Sequence, residues 1–204
     1  MRVLVMVCVA VLLAGCGKKA TSTGAPARAV THKPALSTAK AVGQTLIASY
    51  PSAAPPPALL SAIRAGHVGG VIMMGANTPS ISTARAAADK LQAAAKAGHN
   101  PPLLIMTDQE GGEIERLQGQ PPVASAAQMG TESAAAVKRL GERTGAVLRR
   151  AGINMDLAPD ADVARVPSGF IATEKRSFGT TPAVAARGAC SFAAGLSAAR
   201  IGYT

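Results

Sequence analysis

The sequence predicts an α/β fold in which short parallel strands alternate with amphipathic helices, and three observations carry that prediction. Apolar runs of strand length recur at VGGVIMM (68–74), PPLLIM (101–106) and INMDLAP (153–159). Segments with helical spacing lie between them. Acidic residues gather directly behind the runs, Asp108 after the second and Asp160 and Asp162 after the third, and the carboxyl ends of parallel strands are where a barrel places its chemistry. Strands joined through helices of this length pair in parallel by right-handed crossovers. The sheet is therefore either open and doubly wound or closed as a (β/α) barrel, and periodicity alone does not separate the two. A dinucleotide-binding sheet would carry Gly-x-Gly-x-x-Gly between its first strand and helix, and none stands there.

The chain opens on Arg2 and the apolar run VLVMVCVAVLLA, which closes on Leu13-Ala14-Gly15-Cys16. A basic residue ahead of a short apolar run has the form of an export signal, and the run is too short to cross a bilayer as a helix. LAGC resembles a bacterial lipobox, in which small residues admit the peptidase and the cysteine thiol takes a lipid before becoming the new N-terminus. An ordinary secretory signal with an incidental cysteine is the alternative. Residues 1–15 are thus expected to leave as a lipoprotein signal, with Cys16 as the lipidation site holding an exported protein to the cell membrane. Residues 16–40 are rich in Ala, Thr, Ser, Pro and Lys, too poor in large apolar side chains to order themselves. They read as a flexible tether, with Lys18 and Lys19 close to the lipid surface.

Charge and cysteine usage narrow the partners. The formal net charge of +10 falls by one when Arg2 leaves. Its scatter along the chain fits a basic surface that keeps the protein soluble, with attraction to anionic envelope polymers or lipids as the alternative. With no basic run and only 2 Tyr and 3 Phe, nucleic acid is not an expected partner. Of the 3 cysteines, Cys8 leaves with the signal and Cys16 carries lipid. Cys190 stands alone on a predicted helix and reads as a small core residue.

Residues 41–204 supply one domain. QTLIASY (44–50) reads as a first strand and PPPALLSAIRAG as a short helix behind it. In the next helix Thr78 is the expected cap and Pro79 the first residue, Ile81, Ala84, Ala88, Leu91 and Ala95 share one face, and Gly98 closes it. Thr131 is the expected cap of the following one, whose stripe is Val137, Leu140, Thr144 and Leu148 and whose stop is Gly152. Thr181 and Pro182 open a third, carrying Val184, Gly188, Phe192 and Leu196 four apart, and IGYT (201–204) begins a further strand.

The stretch TDQEGGEIERL (107–117) concentrates chemistry, holding Asp108, Glu110, Glu113 and Glu115 out of 11 acidic residues. If the strand ran on through it, Asp108 and Glu110 would face one side about 6 to 7 Å apart, a spacing open to an acid and base pair. Gly111 and Gly112 argue that the backbone is already turning. In that case Asp108 is free to accept hydrogen bonds from sugar hydroxyls while Glu110 braces the loop. A merely solvated acidic loop is the third reading.

TDQEGGEIERL is similar to the D-x-E-G-G-R-V-x-R-L signature of family-3 glycoside hydrolases. VGQTLIASY, VGGVIMMGANT, GINMDLAPDADV and KRSFGTTPAVAARGACSFAAGL follow in that family's order and spacing, covering roughly residues 41–202. The RSFG form at Arg176 to Gly179 resembles the β-N-acetylhexosaminidase branch. The resemblance implies the N-terminal portion of a (β/α)8 TIM-type barrel, cut at about the fifth strand. It implies retaining hydrolysis that removes terminal N-acetylglucosamine from cell-wall-type oligosaccharides. Matched position by position, Asp108, Arg116 and Arg176 are the residues that would bind the substrate. A carboxylate accepts from hydroxyl pairs and an arginine fork donates in a fixed plane. Plain pairing is the other reading, Arg116 with Glu110 or Glu113 and Arg176 with Glu174.

Two positions depart from the family pattern: Glu113 stands where arginine is usual, and Asp160 where an apolar residue is usual. The family's K-H-F-P-G-H-G segment, with its acid/base histidine, and the later nucleophilic aspartate have no match within residues 1–204. His32, His67 and His99 stand in no such motif. No catalytic residue, metal ligand or cofactor is therefore assigned, and the 204 residues alone are expected to be inactive and prone to aggregation. A non-catalytic saccharide-binding envelope lipoprotein and a structural envelope lipoprotein remain the rival readings.

Overall fold

The computed structural model describes residues 36–204. The predicted signal, Cys16, His32 and most of the tether lie outside the described residues. Helix α1 (Thr38–Gly43) begins inside the stretch assigned to the tether, where Ser37 accepts a hydrogen bond from the Lys40 N–H and caps it.

The strand and helix alternation then runs as expected. β1 (Ile47–Ala48) is followed by α2 (Pro57–Ala65), β2 (Gly70–Ile72), a 3-10 turn (Gly75–Asn77), α3 (Ile81–Ala97) and β3 (Leu104–Thr107). A hairpin of β4 (Gln109–Gly111) and β5 (Ile114–Glu115) comes next, then α4 (Ala126–Met129), α5 (Ala134–Arg150) and β6 (Met155–Asp156). α6 (Phe170–Thr173), α7 (Pro182–Ala198) and β7 (Gly202–Tyr203) complete the chain. Five strands form one parallel sheet in the order β1-β2-β3-β6-β7, with the β4–β5 hairpin outside it. Each strand is added on the same side of the last. A doubly wound sheet reverses its order at a switch point, and this one keeps one direction among the described residues, which is the winding of a (β/α) barrel. The open choice left by periodicity is settled by strand order.

Two helix starts fall two residues later than the sequence suggested. Ser80, not Thr78, caps α3 by accepting from the Thr83 N–H at 3.0 Å. Thr78 is buried and spends its hydroxyl on the Arg116 carbonyl at 2.7 Å. Ser133 caps α5, while the Thr131 hydroxyl donates to the Gln128 carbonyl at 2.8 Å. Both threonine hydroxyls are turned to carbonyls away from the helix start, Thr78 to one 38 residues on and Thr131 to one 3 residues back. α7 starts at Pro182 as predicted.

The core lies between the sheet and its helices. Ala84, Ala88, Leu91 and Ala95 of α3 and Val137 and Leu148 of α5 are buried there, with Phe192 and Leu196 of α7 and Val71 and Ile105 of the sheet. α5 and α7 approach closely because Gly141 and Gly195 carry no side chain at the crossing; a Cβ on Gly195 would collide with the Lys138 carbonyl. Cys190 departs from expectation: it is exposed. α7 turns Ala185, Gly188, Ala189, Phe192 and Leu196 inward, and at 3.6 residues per turn position 190 falls on the outer side. On the sheet's other face Ile47 and Leu104 stay about half exposed, at 49% and 47%.

Candidate functional site

The site grows from the end of β3. Thr107 is fully buried and its hydroxyl donates to the Met73 carbonyl at 2.8 Å, tying the ends of β3 and β2 together. Asp108 follows, and the chain then enters the hairpin. Gly111 and Gly112 sit at φ 93° and 61°, in the left-handed region that disfavours side chains. A Cβ on Gly111 would also strike the Ala124 carbonyl. The Gly-Gly pair thus lets the loop fold back over residues 122–125, with the Gly112 N–H donating to the Val123 carbonyl at 3.1 Å.

Gln109 holds this loop together from inside. It is fully buried, and its Oε1 accepts from the backbone N–H groups of Arg116 at 3.1 Å and Leu117 at 2.9 Å. Its Nε2 faces the carbonyls of Leu117, Gln120 and Pro121 at 3.3 to 3.4 Å. Its own N–H donates to Asp156 Oδ1 at 2.9 Å. One residue therefore ties the backbone next to Asp108 to that of Arg116 and Leu117.

Each predicted binding residue is paired, and not with the partners proposed from sequence proximity. Arg116 Nη2 donates to Asp108 Oδ2 at 3.2 Å, with the side chains 28% and 19% exposed. Arg116 Nε is buried without a hydrogen-bond partner. Arg176 grips Glu110 with two bonds, Nε to Oε2 at 2.9 Å and Nη2 to Oε1 at 2.7 Å, and Asp160 Oδ2 stands 3.4 Å from the same Nη2. Phe170 offers its ring face, the centroid 5.6 Å from Arg176 Cζ. The Glu110 hydrogen bonds push the Arg176 pKa up against the opposing effect of burial, and Asp160 and Asp108 add to the rise. Arg176 is a fixed cation.

β3 ends before Asp108 and Glu110, so the strand does not set the two carboxylates on one side, and each goes to a different arginine. Glu113 is exposed. His67 and His99 are exposed just behind α2 and α3. Two residues of the site were missed in the sequence, Gln109 and Asp156. Gln109 carries no signal that separates it from a surface amide. Asp156 did: it is the one charged letter in the apolar run INMDLAP. Its side chain is fully buried, with Oδ2 unpartnered. Burial pushes its pKa well above the usual carboxylate range; the Gln109 N–H opposes this, and the charges of Asp108 and Glu110 add to it.

Residues 41–204 match the family model described as "Glycosyl hydrolase family 3 N terminal domain". An uncharacterized secreted glycosyl hydrolase of Arthroderma benhamiae is 37% identical over 171 residues, which is 82% of this chain and 48% of that protein. A β-N-acetylhexosaminidase of Beutenbergia cavernae superimposes with a TM-score of 0.75 at 31% identity, over 83% of this chain and 53% of the other. A family-3 β-N-acetylglucosaminidase of a Paenibacillus species gives a TM-score of 0.77 at 30% identity, over 83% of this chain and 32% of the other. The chain thus spans about half or less of the length of these relatives, 48% of the first, 53% of the second and 32% of the third.

Proposed function

The chain belongs to glycosyl hydrolase family 3, and from that premise we propose that it carries the sugar-holding part of a glycosidase that removes terminal N-acetylglucosamine by a retaining mechanism. Asp108, Arg116 and Arg176 are the proposed substrate-binding residues. One observation carries the reading: the Asp108–Arg116 clasp, at the carboxyl end of a parallel strand, leaves a buried Arg116 Nε–H without a partner. A donor in that state gains most from a ligand oxygen, and the neighbouring Asp108 carboxylate is placed to accept from an adjacent hydroxyl. Arg176, held by Glu110 and Asp160, would present its remaining N–H groups in a fixed direction. The chemistry of bond cleavage needs a nucleophile and a proton donor besides this grip, and the family resemblance locates both in segments that residues 1–204 do not match.

Export and anchoring through Cys16 are part of the same proposal. The Arthroderma relative's description as secreted supports export, and LAGC supports the lipid. A substrate ending in N-acetylglucosamine is supported by the two structures described as a β-N-acetylhexosaminidase and a β-N-acetylglucosaminidase; its cell-wall-type oligosaccharide context is proposed from the sequence resemblance. The test is calorimetric titration of the chain with N-acetylglucosamine, set beside Asp108→Ala and Arg116→Met. Binding that disappears in both variants is the expected result. Unchanged affinity in Asp108→Ala would sink the assignment.

A further inference from the structure

We propose that Asp156 is a positioning residue for this saccharide grip, working as a neutral carboxylic acid that pins the backbone between Asp108 and Glu110. The inference rests on the proposed function for its ligand, and on geometry for everything else. Asp156 ends β6 in register with Thr107 of β3. Its Oδ1 accepts the Gln109 N–H at 2.9 Å, and Gln109 in turn holds the Arg116 and Leu117 N–H groups. The chain of contacts runs from β6 to the backbone N–H of Gln109, next to Asp108, and from the Gln109 side-chain amide to the backbone of Arg116.

The charges around Asp156 explain why the neutral form is the working one. Asp108 and Glu110 flank Gln109, whose N–H Asp156 accepts, and both are matched by arginines, Arg116 and Arg176. Tyr203 lies in register with it on β7. Among the described residues, no ion pair includes Asp156. An ionised Asp156 would be a fully buried charge without a cation, beside two like charges, a state that proteins avoid by keeping the proton. The raised pKa agrees with this placement. When the proton leaves Oδ2 for solvent at higher pH, repulsion acts directly on the backbone that aims Asp108.

The sign of the linkage follows from the direction of the shift. The folded-state pKa lies above the unfolded value, so the folded chain holds a proton that the unfolded chain has released. Stability is greatest below the unfolded pKa of about 3.9 and is lost as pH rises towards the folded value. Asp156→Asn removes the titration while keeping an oxygen for the Gln109 N–H and a donor in place of the protonated oxygen. Asp156→Leu keeps the volume and leaves that N–H unpaired.

The experiment measures urea midpoints and N-acetylglucosamine affinity for the wild type and both variants from about pH 4 to about pH 9. The wild-type midpoint is expected to fall with pH relative to Asp156→Asn, and wild-type affinity to weaken about tenfold against that variant for each pK unit separating the sugar-bound from the free state. Asp156→Leu is expected to bind weakly at every pH. Wild-type and Asp156→Asn midpoint profiles that coincide would overturn the inference and leave the proposed function standing. So would loss of binding in Asp156→Asn as deep as in Asp156→Leu, because it would make the charge the working form. Diverging midpoints with no sugar binding in any protein would overturn the proposed function and keep the neutral acid as the loop's anchor.

Discussion

Glu110→Gln and Glu110→Ala ask whether Arg176 is fixed by an ion pair that water scarcely screens. The Glu110 side chain is 6% exposed and that of Arg176 23%, with two contacts of 2.9 and 2.7 Å. Removing one member of a fully buried pair costs about 3–5 kcal/mol, because the survivor stays desolvated. Arg176 falls short of that limit: part of it reaches water, and Asp160 waits at 3.4 Å. Glu110→Ala is therefore expected to cost about 2–3 kcal/mol, and Glu110→Gln, which keeps the shape and one acceptor, about 1–2 kcal/mol. The Lys138–Glu142 pair on α5 is an internal control, shorter at 2.6 Å but 48% and 39% exposed. Glu142→Gln is expected to cost only about 0.3–0.5 kcal/mol. Urea unfolding followed by circular dichroism, at about 0.1 M and about 1 M salt, separates the two, since screening at the higher concentration reaches within about 3 Å. The Glu110 effect should persist in salt while the control's fades. Equal midpoints for Glu110→Gln and Glu142→Gln, or a Glu110 effect that salt abolishes, would refute the reasoning.

Two further outcomes are expected. Gly195→Ala places a Cβ against the Lys138 carbonyl and 2.7 Å from the Glu142 backbone N, so α5 and α7 must part at a cost of about 1–3 kcal/mol. Gly75→Ala meets nothing within 4 Å, and thermal unfolding should rank the two accordingly; equal Tm values would show that the helix crossing yields freely. Cys16→Ser should release the protein from membranes, since one lost lipid removes the apolar anchor. Quantitative retention of that variant after high-salt washing would mean that Cys16 is not the tether.

Much of the fold was legible because its signals are local. VGGVIMM, PPLLIM and INMDLAP each hold a strand of the parallel sheet, α2 ahead of the first run stops at Gly66 and α5 ahead of the third stops before Gly152, both at positive φ, while α3 closes on Gly98 at φ -86°. Barrel winding was not legible from periodicity, since it lies in the order of strands rather than in any one of them; it came from the family resemblance alone. The caps failed for a related reason. Thr78 and Ser80 are both good cap residues, and what chose between them was the Arg116 carbonyl, 38 residues away. Cys190 was misplaced because a cysteine's mean tendency to be buried does not say which side of α7 it occupies.

At the site, the sequence showed which charges were present but not how they pair. Arg116 reaches back 8 residues to Asp108, and Arg176 reaches 66 residues to Glu110; local counting had offered Glu113 and Glu174 as easily. The division of labour between the two buried-side aspartates follows from register. Thr107 pairs with Asp156 and β3 ends there, so Asp108, one residue on, leaves the sheet with the turning loop. Asp108 can then point to a ligand while Asp156 works beneath the loop on the Gln109 N–H. A slip of one residue between β3 and β6 would set Asp156 opposite Asp108 instead of Thr107 and carry its Oδ1 away from the Gln109 N–H. The side-chain amide of Asn154, just ahead of β6, resists that slip: its Oδ1 accepts the Ile105 N–H at 2.8 Å and its Nδ2 donates to the Leu103 carbonyl at 2.9 Å, and a shift of β6 against β3 would leave these groups unpaired.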